Sequence, residues 1–279
     1  MGIFACRGRD GRPFISEQTM PYTTLQLEYD GAVATLTLNR PEKHNAISHQ
    51  TIADLLAALE EVSRLNSHVL IVTGTGKAFC SGLDLDNLRA LLSHSPEENL
   101  RHSETMAGLF RRLYEFPCPT IAAVNGPAIA GGCVLATLCD FTLASTEARF
   151  GYTEVRIGFI PALVSAFLLR QVAEKQARDL MLTGRIFGAE QAMRLGLVNE
   201  ILAPEQLLPR ARQLAASLLE NSPSSLRATK QLLAETSRAS LDAHLRLAIT
   251  ENARIRSTED FREGITSFLE KRKPRWSGH

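Results

Sequence analysis

Twice in the first half of the chain a short apolar strand runs into a glycine-bearing loop and then into a helix, and this repetition constrains the fold more than any other feature. The first unit is Val69 to Val72 followed by Ala78-Phe79-Cys80-Ser81-Gly82-Leu83-Asp84. The second is Thr120 to Val124 followed by Asn125-Gly126-Pro127-Ala128-Ile129-Ala130-Gly131-Gly132-Cys133. Strands linked through helices pair in parallel, so successive units deliver their loops to the same side. A partial third unit, Phe141 to Ala144, leads to Phe150-Gly151-Tyr152-Thr153-Glu154.

The flanking sequence is consistent with an α/β core. Residues 23–28 and Val33 to Leu38 alternate apolar and polar around Asp30-Gly31, the pattern of a β-hairpin. From Ser48, a helix cap, Ile52, Leu55, Leu56, Leu59, Val62 and Leu65 recur at helical spacing. A polar, flexible-looking stretch around Ser93 to Glu98 precedes a helix near 101–115. Beyond Ile160-Pro161 the periodicity is nearly all helical, at 174–182, 188–195, 204–219, 223–236 and 239–255, then a Ser257-capped segment to about Lys271. No Pro/Gly-rich linker intervenes. The expected organisation is a disordered extension over 1–19, an α/β core over 20–200, and a helical C-terminal subdomain over 201–279 that packs on the core or on a neighbouring subunit. Met20 is a candidate start, and organelle targeting is the alternative reading of the extension.

A net charge of +1 supplies no global attraction to nucleic acid or membrane, and no stretch is long and apolar enough to span a bilayer. Five cysteines (Cys6, Cys80, Cys118, Cys133 and Cys139) show no metal-binding spacing and read as buried thiols of a reducing, cytoplasmic compartment. The seven histidines form no ligand motif, so no metal is expected. Gly74-Thr75-Gly76-Lys77 lacks the upstream glycine and following hydroxyl of a P-loop, and there is no G-x-S-x-G nucleophile elbow.

What remains is a site built from backbone. Gly82 permits a turn that frees the Leu83 amide, and Gly131-Gly132 open a helix whose first N–H groups have no internal acceptor. Amides converging on one point stabilise a carbonyl oxygen as it gains negative charge. Either loop alone is equally readable as a strand-to-helix turn or as close helix packing. Glu154, between aromatic and apolar neighbours, is the candidate acid/base, because burial would raise its pKa toward neutrality.

Together these residues resemble the crotonase superfamily, the enoyl-CoA hydratase/isomerase family, over roughly residues 20–275. Asn39-Arg40-Pro41-Glu42-Lys43-His44-Asn45-Ala46 is similar to its first signature, and the two loops fall where that family forms its oxyanion hole. The resemblance implies a crotonase-like spiral of ββα units, a homotrimer or dimer of trimers, and an acyl-CoA thioester substrate. Coenzyme A is then part of the substrate and no separate cofactor is needed. Leu83 and Gly131 become the amide donors and Glu154 the general acid/base. Lys43 and Ser81 become coenzyme A contacts, and Phe268 and Lys271 match a C-terminal helix that closes over the ligand. Ala46, Gly82, Asp84, Leu85, Gly132 and Val134 complete the expected binding set.

One position departs from the family pattern. Hydratases of this family carry two catalytic glutamates, and here the first position is Val134. A single shuttling base suffices to move a double bond, as in the family's Δ3,Δ2-enoyl-CoA isomerases, whereas the residues around Glu154 are closer to bacterial hydratases. Asp84 and Glu104 are candidate replacement acids. The alternative to an enzyme is a catalytically impaired acyl-CoA-binding protein, or an RNA-interacting one through the basic run Lys271 to Arg275.

Overall fold

The structure, a computed structural model, describes residues 22–279. The expected extension over 1–19, the candidate start at Met20, and Cys6 lie outside the described residues. The hairpin forms as β1 (Leu25–Asp30) and β2 (Val33–Leu38), turning at Gly31 with φ 58°. Then follow α1 (His49–Arg64), β3 (Val69–Gly74), α2 (Leu85–Ala90), α3 (Pro96–Tyr114), β4 (Thr120–Val124), β5 (Ala128–Ile129) and α4 (Gly131–Thr137). Next come β6 (Phe141–Ser145), β7 (Arg149–Gly151), a 3-10 turn at Glu154–Ile157, α5 (Ala162–Leu168), α6 (Glu174–Thr183) and β8 (Phe187–Gly188). The chain ends with α7 (Ala189–Arg194), β9 (Glu200–Leu202), α8 (Pro204–Leu219), α9 (Pro223–Arg254) and α10 (Glu259–Leu269).

The main sheet has the order β1-β2-β3-β4-β6-β9, antiparallel at the hairpin and parallel thereafter. Its central strands are buried on both faces, which is why β3 and β4 read as unbroken apolar runs. Alternation sorts their side chains. Val69, Ile71, Ile121, Ala123 and Leu143 face α8 through Leu207, Ala211 and Ala215. Leu70, Val72, Ala122 and Val124 face the larger core shared with α1, α3 and α4. A small second sheet, β5-β7-β8, stands beside the loops that follow β3 and β4.

Four sequence expectations are corrected. The helix expected near 101–115 begins at Pro96, because Ser95 and Glu98 cap it reciprocally: the Glu98 amide donates to Ser95 Oγ at 3.2 Å and the Ser95 amide to Glu98 Oε2 at 2.7 Å. The stretch read as flexible is therefore ordered. The helices expected at 223–236 and 239–255 are one, α9, whose buried residues Leu241, Leu245, Ala248 and Asn252 all lie in its second half. Thr258, not Ser257, caps α10 by accepting from the Phe261 amide. Finally, the region after Pro161 contains two strands; β9 joins the main sheet beside β6 and crosses the boundary expected at residue 200.

Candidate active site

Ser48 starts α1 as expected, its Oγ accepting from the Thr51 amide at 3.1 Å. The segment before it is bound to the first glycine loop by Asn45, which is buried in a left-handed conformation (φ 55°). Its Oδ1 accepts from the Arg40 amide at 2.8 Å, and its Nδ2 donates to the carbonyls of Thr75 at 3.0 Å and Ala78 at 2.8 Å. Asparagine is suited to this position, since its short amide tolerates the left-handed region and satisfies all three groups. Asn45→Ala is expected to lower unfolding free energy by about 2–3 kcal/mol, measured by urea denaturation, because buried backbone groups lose their partners.

The two loops are interlocked. The Ile129 amide donates to the Cys80 carbonyl at 2.9 Å, and a parallel bridge pairs Cys80 with Ala128. Gly82 adopts φ +90°, and a side chain there would meet the Ile129 carbonyl at 3.0 Å. Ala130 is the strained residue, at φ 48°, ψ −121° just before α4. It is held there by its amide donating to the Gly151 carbonyl at 2.7 Å and its carbonyl accepting from Val134 at 3.1 Å. Such backbone costs about 1–3 kcal/mol and persists where the surroundings enforce it. Its consequence is the aim of the next amide. Among the described residues, neither the Leu83 nor the Gly131 amide has an acceptor.

Leu83, Gly131 and Glu154 all line one cavity of about 690 Å³. Glu154 opens the 3-10 turn after β7, and its side chain is buried with Oε2 unpartnered. Desolvation raises its pKa from 4.5 to about 7, opposed only by its own backbone amide. Val134, on the first turn of α4, is buried and lines the same cavity.

Of the other expected site residues, Lys43, Ala46, Ser81, Asp84, Leu85 and Phe268 line the cavity. Gly82, Gly132 and Lys271 do not; the two glycines shape the loops, and at the C-terminus it is Arg272 that reaches the cavity, paired with Glu263 at 2.6 Å. Asp84 is committed elsewhere: Oδ1 accepts from the Asp86 amide at 3.0 Å as the cap of α2, and Oδ2 pairs with Arg40 at 2.9 Å. Glu104 is exposed on α3 and off the cavity wall. Neither candidate replacement acid is therefore free to act at the site. Among the described residues Glu154 is the one buried carboxylate lining the cavity that has an oxygen with neither a hydrogen-bond nor an ion-pair partner.

Sequence reasoning missed the far wall. Met106 and Phe110 from α3, Leu163 and Val164 from α5, and Asn252 and Arg256 from the end of α9 and just beyond line the cavity from positions remote in sequence. Periodicity marks such residues only as buried, and nothing local assigns them to a cavity. Cys80, Cys118, Cys133 and Cys139 are buried free thiols, and burial pushes the Cys80 thiol up to about 12. Among the described residues no group of three or more His, Cys, Asp or Glu could hold a metal, and no helix is long and apolar enough to cross a membrane.

Comparison with known proteins adds a family. Residues 28–279 match the family model described as enoyl-CoA hydratase/isomerase. A Thermus thermophilus protein whose name assigns it provisionally to the enoyl-CoA hydratases is 47% identical over 247 residues, covering 88% of this chain and 98% of that protein. A short-chain-enoyl-CoA hydratase of Clostridium acetobutylicum is 34% identical over 258 residues, covering 91% of this chain and 97% of its own. Among solved structures, an enoyl-CoA hydratase from Mycobacterium avium superposes with a TM-score of 0.81 at 31% identity, covering 91% of this chain and 99% of that one.

Proposed function

The chain belongs to the enoyl-CoA hydratase/isomerase family, and from that membership we propose that it acts on an enoyl-CoA thioester through an enolate, with the Leu83 and Gly131 amides holding the oxyanion and Glu154 moving the proton. The observation that carries this reading is that two residues with unpartnered amides and one buried glutamate with an unpartnered carboxylate oxygen line a single cavity. Each amide donor aimed at the developing charge is worth about 3 kcal/mol of barrier. The raised pKa of Glu154 places it near neutrality, where a group both accepts and returns a proton efficiently.

One carboxylate completes a double-bond shift unaided. Glu154 removes a proton from C2 of a 3-enoyl thioester, the electrons pass into the thioester oxygen, and the same proton is returned at C4 to give the 2-enoyl product. This 1,3-shift is the reaction the site performs with the groups it has. The names of the relatives favour a second reading, hydration, in which Glu154 takes a proton from water as oxygen bonds to C3 and then delivers it to C2. At Val134 no acid is available to share that work. Val134→Glu is expected to raise the rate of crotonyl-CoA hydration about tenfold or more, measured by loss of enoyl absorbance. A folded variant with no gain would separate hydration from the residue at this position.

The substrate reading places Lys43, Ser81 and Phe268 at the coenzyme A end, with Arg272 in the role expected of Lys271. We also propose self-association, as a trimer or dimer of trimers in the cytoplasm. Its support is the exposure of Leu182, Leu232, Leu233 and Leu247 on helices α6 and α9, apolar surface that a neighbouring copy would cover. RNA binding has little support, since Arg272 in the basic run is tied to Glu263 and Glu270.

A further inference from the structure

The cavity holds a charge that the chemistry above does not use. Arg256, one residue past the start of the 3-10 turn that follows α9, is buried to 4% exposure and lines the cavity. Its guanidinium is surrounded by neutral acceptors: the Asn99 carbonyl and Oδ1, Ser103 Oγ, His102 Nδ1 and Asn252 Oδ1. It also lies over the Phe159 ring at 5.3 Å. No carboxylate pairs with it among the described residues, and Nε has no acceptor. Burial pulls its pKa down to about 10, which leaves it charged at neutral pH.

His102 sits against it and also lines the cavity. Arginine carries only donors, so the tautomer that suits the 3.2 Å contact between His102 Nδ1 and Arg256 Nη2 has Nδ1 as acceptor and the ring proton on Nε2. That Nε2 is likewise buried without an acceptor. Burial and the neighbouring guanidinium depress the His102 pKa to about 3, so the ring is a neutral donor. Two buried donors, one of them on a cation with no carboxylate beside it, are thus left without an acceptor on two residues that line the cavity. A buried charge without a counter-ion is costly, and an anion arriving with the ligand offsets that cost.

The position matches the acyl end. Phe110 Cζ would lie 3.7 Å from a side chain built on Gly131, so this part of α3 abuts the oxyanion loop. His102 precedes Phe110 by about two turns of the same helix, roughly 12 Å along its axis. Between them Met106 continues the apolar wall. With the coenzyme A end at Phe268, as proposed above, a ligand whose thioester lies at Gly131 would extend its acyl group along this wall toward Arg256.

Resting on the thioester reading above, we infer that Arg256 and His102 receive a carboxylate carried at the distal end of the acyl chain, so that the preferred substrates are CoA monothioesters of dicarboxylic acids. Charge-assisted, two-pronged recognition of that kind discriminates by about ten- to a hundredfold against a methyl-terminated chain. The test uses saturated, unreactive esters, so it needs no turnover. Dissociation constants are measured by calorimetry for adipyl-CoA against hexanoyl-CoA and for suberyl-CoA against octanoyl-CoA. In at least one pair the dicarboxylate is expected to bind tenfold tighter or more. Arg256→Met should abolish that preference, read as the ratio of the dicarboxylate to the monocarboxylate dissociation constant within the same variant, and Arg256→Lys should keep part of it. Equal or weaker binding of the dicarboxylate in both pairs by the unaltered protein overturns the inference, whatever the variants do, and leaves the thioester reading standing. Failure to bind any of the four esters removes both.

Discussion

Glu154→Gln is expected to lower kcat/KM on an enoyl-CoA about a thousandfold while leaving the dissociation constant of a saturated acyl-CoA within about twofold. The amide keeps the shape of the side chain and removes the proton transfer, and the backbone amides that would hold the thioester are untouched. In the unaltered protein the double-bond shift should rise with pH through about 7 to a plateau, as the Glu154 carboxylate becomes available to accept a proton. The same substitution has a signature in stability. The folded pKa of Glu154 is raised from 4.5 to about 7, so its contribution is fully present below pH 4.5 and is lost as pH rises through 7, because between these values the unfolded chain ionises while the buried group stays protonated. At 1.36 kcal/mol per unit the loss is bounded at about 3 kcal/mol. The glutamine variant should therefore be more stable than its parent at pH 8, and the difference should vanish below pH 4.5. An activity loss accompanied by destabilisation at pH 8 would point to structural damage instead.

Gly132→Ala is expected to cost about 3 kcal/mol of stability and about a hundredfold in kcat/KM. A side chain at this position would fall 2.1 Å from the Cys80 carbonyl oxygen and 2.7 Å from its carbonyl carbon. Both neighbours belong to a backbone pinned by the Ile129 amide, so neither can retreat without separating the two loops. The predicted damage is thus to the relative position of the Leu83 and Gly131 amides, although Gly132 does not itself line the cavity. Gly108, on α3 with nothing within 4 Å of its would-be side chain, is the control. Gly108→Ala should leave activity intact and raise helix stability by about 0.5–1 kcal/mol. Thermal melts and kcat/KM on the two variants separate a requirement for close backbone approach from a general intolerance of alanine.

The parts of the molecule legible in the sequence are those where local chemistry and tertiary packing agree. β4 is read residue for residue because Thr120 to Val124 is buried on both faces and bounded by proline and glycine. Ser48 is read as a cap because its hydroxyl finds the Thr51 amide whatever α1 packs on. α9 was divisible in sequence because its first half packs little within the chain: Leu232 and Leu233 stay exposed, so the apolar stripe changes course along the helix. β9 was invisible because a three-residue strand at a sheet edge carries no period, and only pairing with β6 defines it. The site divides in the same way. Leu83, Gly131 and Glu154 lie on contiguous motifs. The strain at Ala130, the commitment of Asp84 to Arg40, and the meeting of His102 with Arg256 arise from chain segments that sequence spacing does not bring together. His102 and Arg256 are separated by 154 residues, and neither belongs to a pattern that marks it.

The most direct test of an enolate formed by Glu154 is deuterium incorporation from heavy water into enoyl-CoA substrates, followed by mass spectrometry for the unaltered protein and for Glu154→Gln. With a 3-enoyl-CoA the unaltered protein is expected to move the double bond and to place solvent deuterium on carbon, and the variant to do neither at a measurable rate. An unaltered protein that binds acyl-CoA yet incorporates no deuterium and leaves the double bond in place, or a Glu154→Gln variant that matches its parent, would contradict the assignment of this cavity as an enolate-forming site.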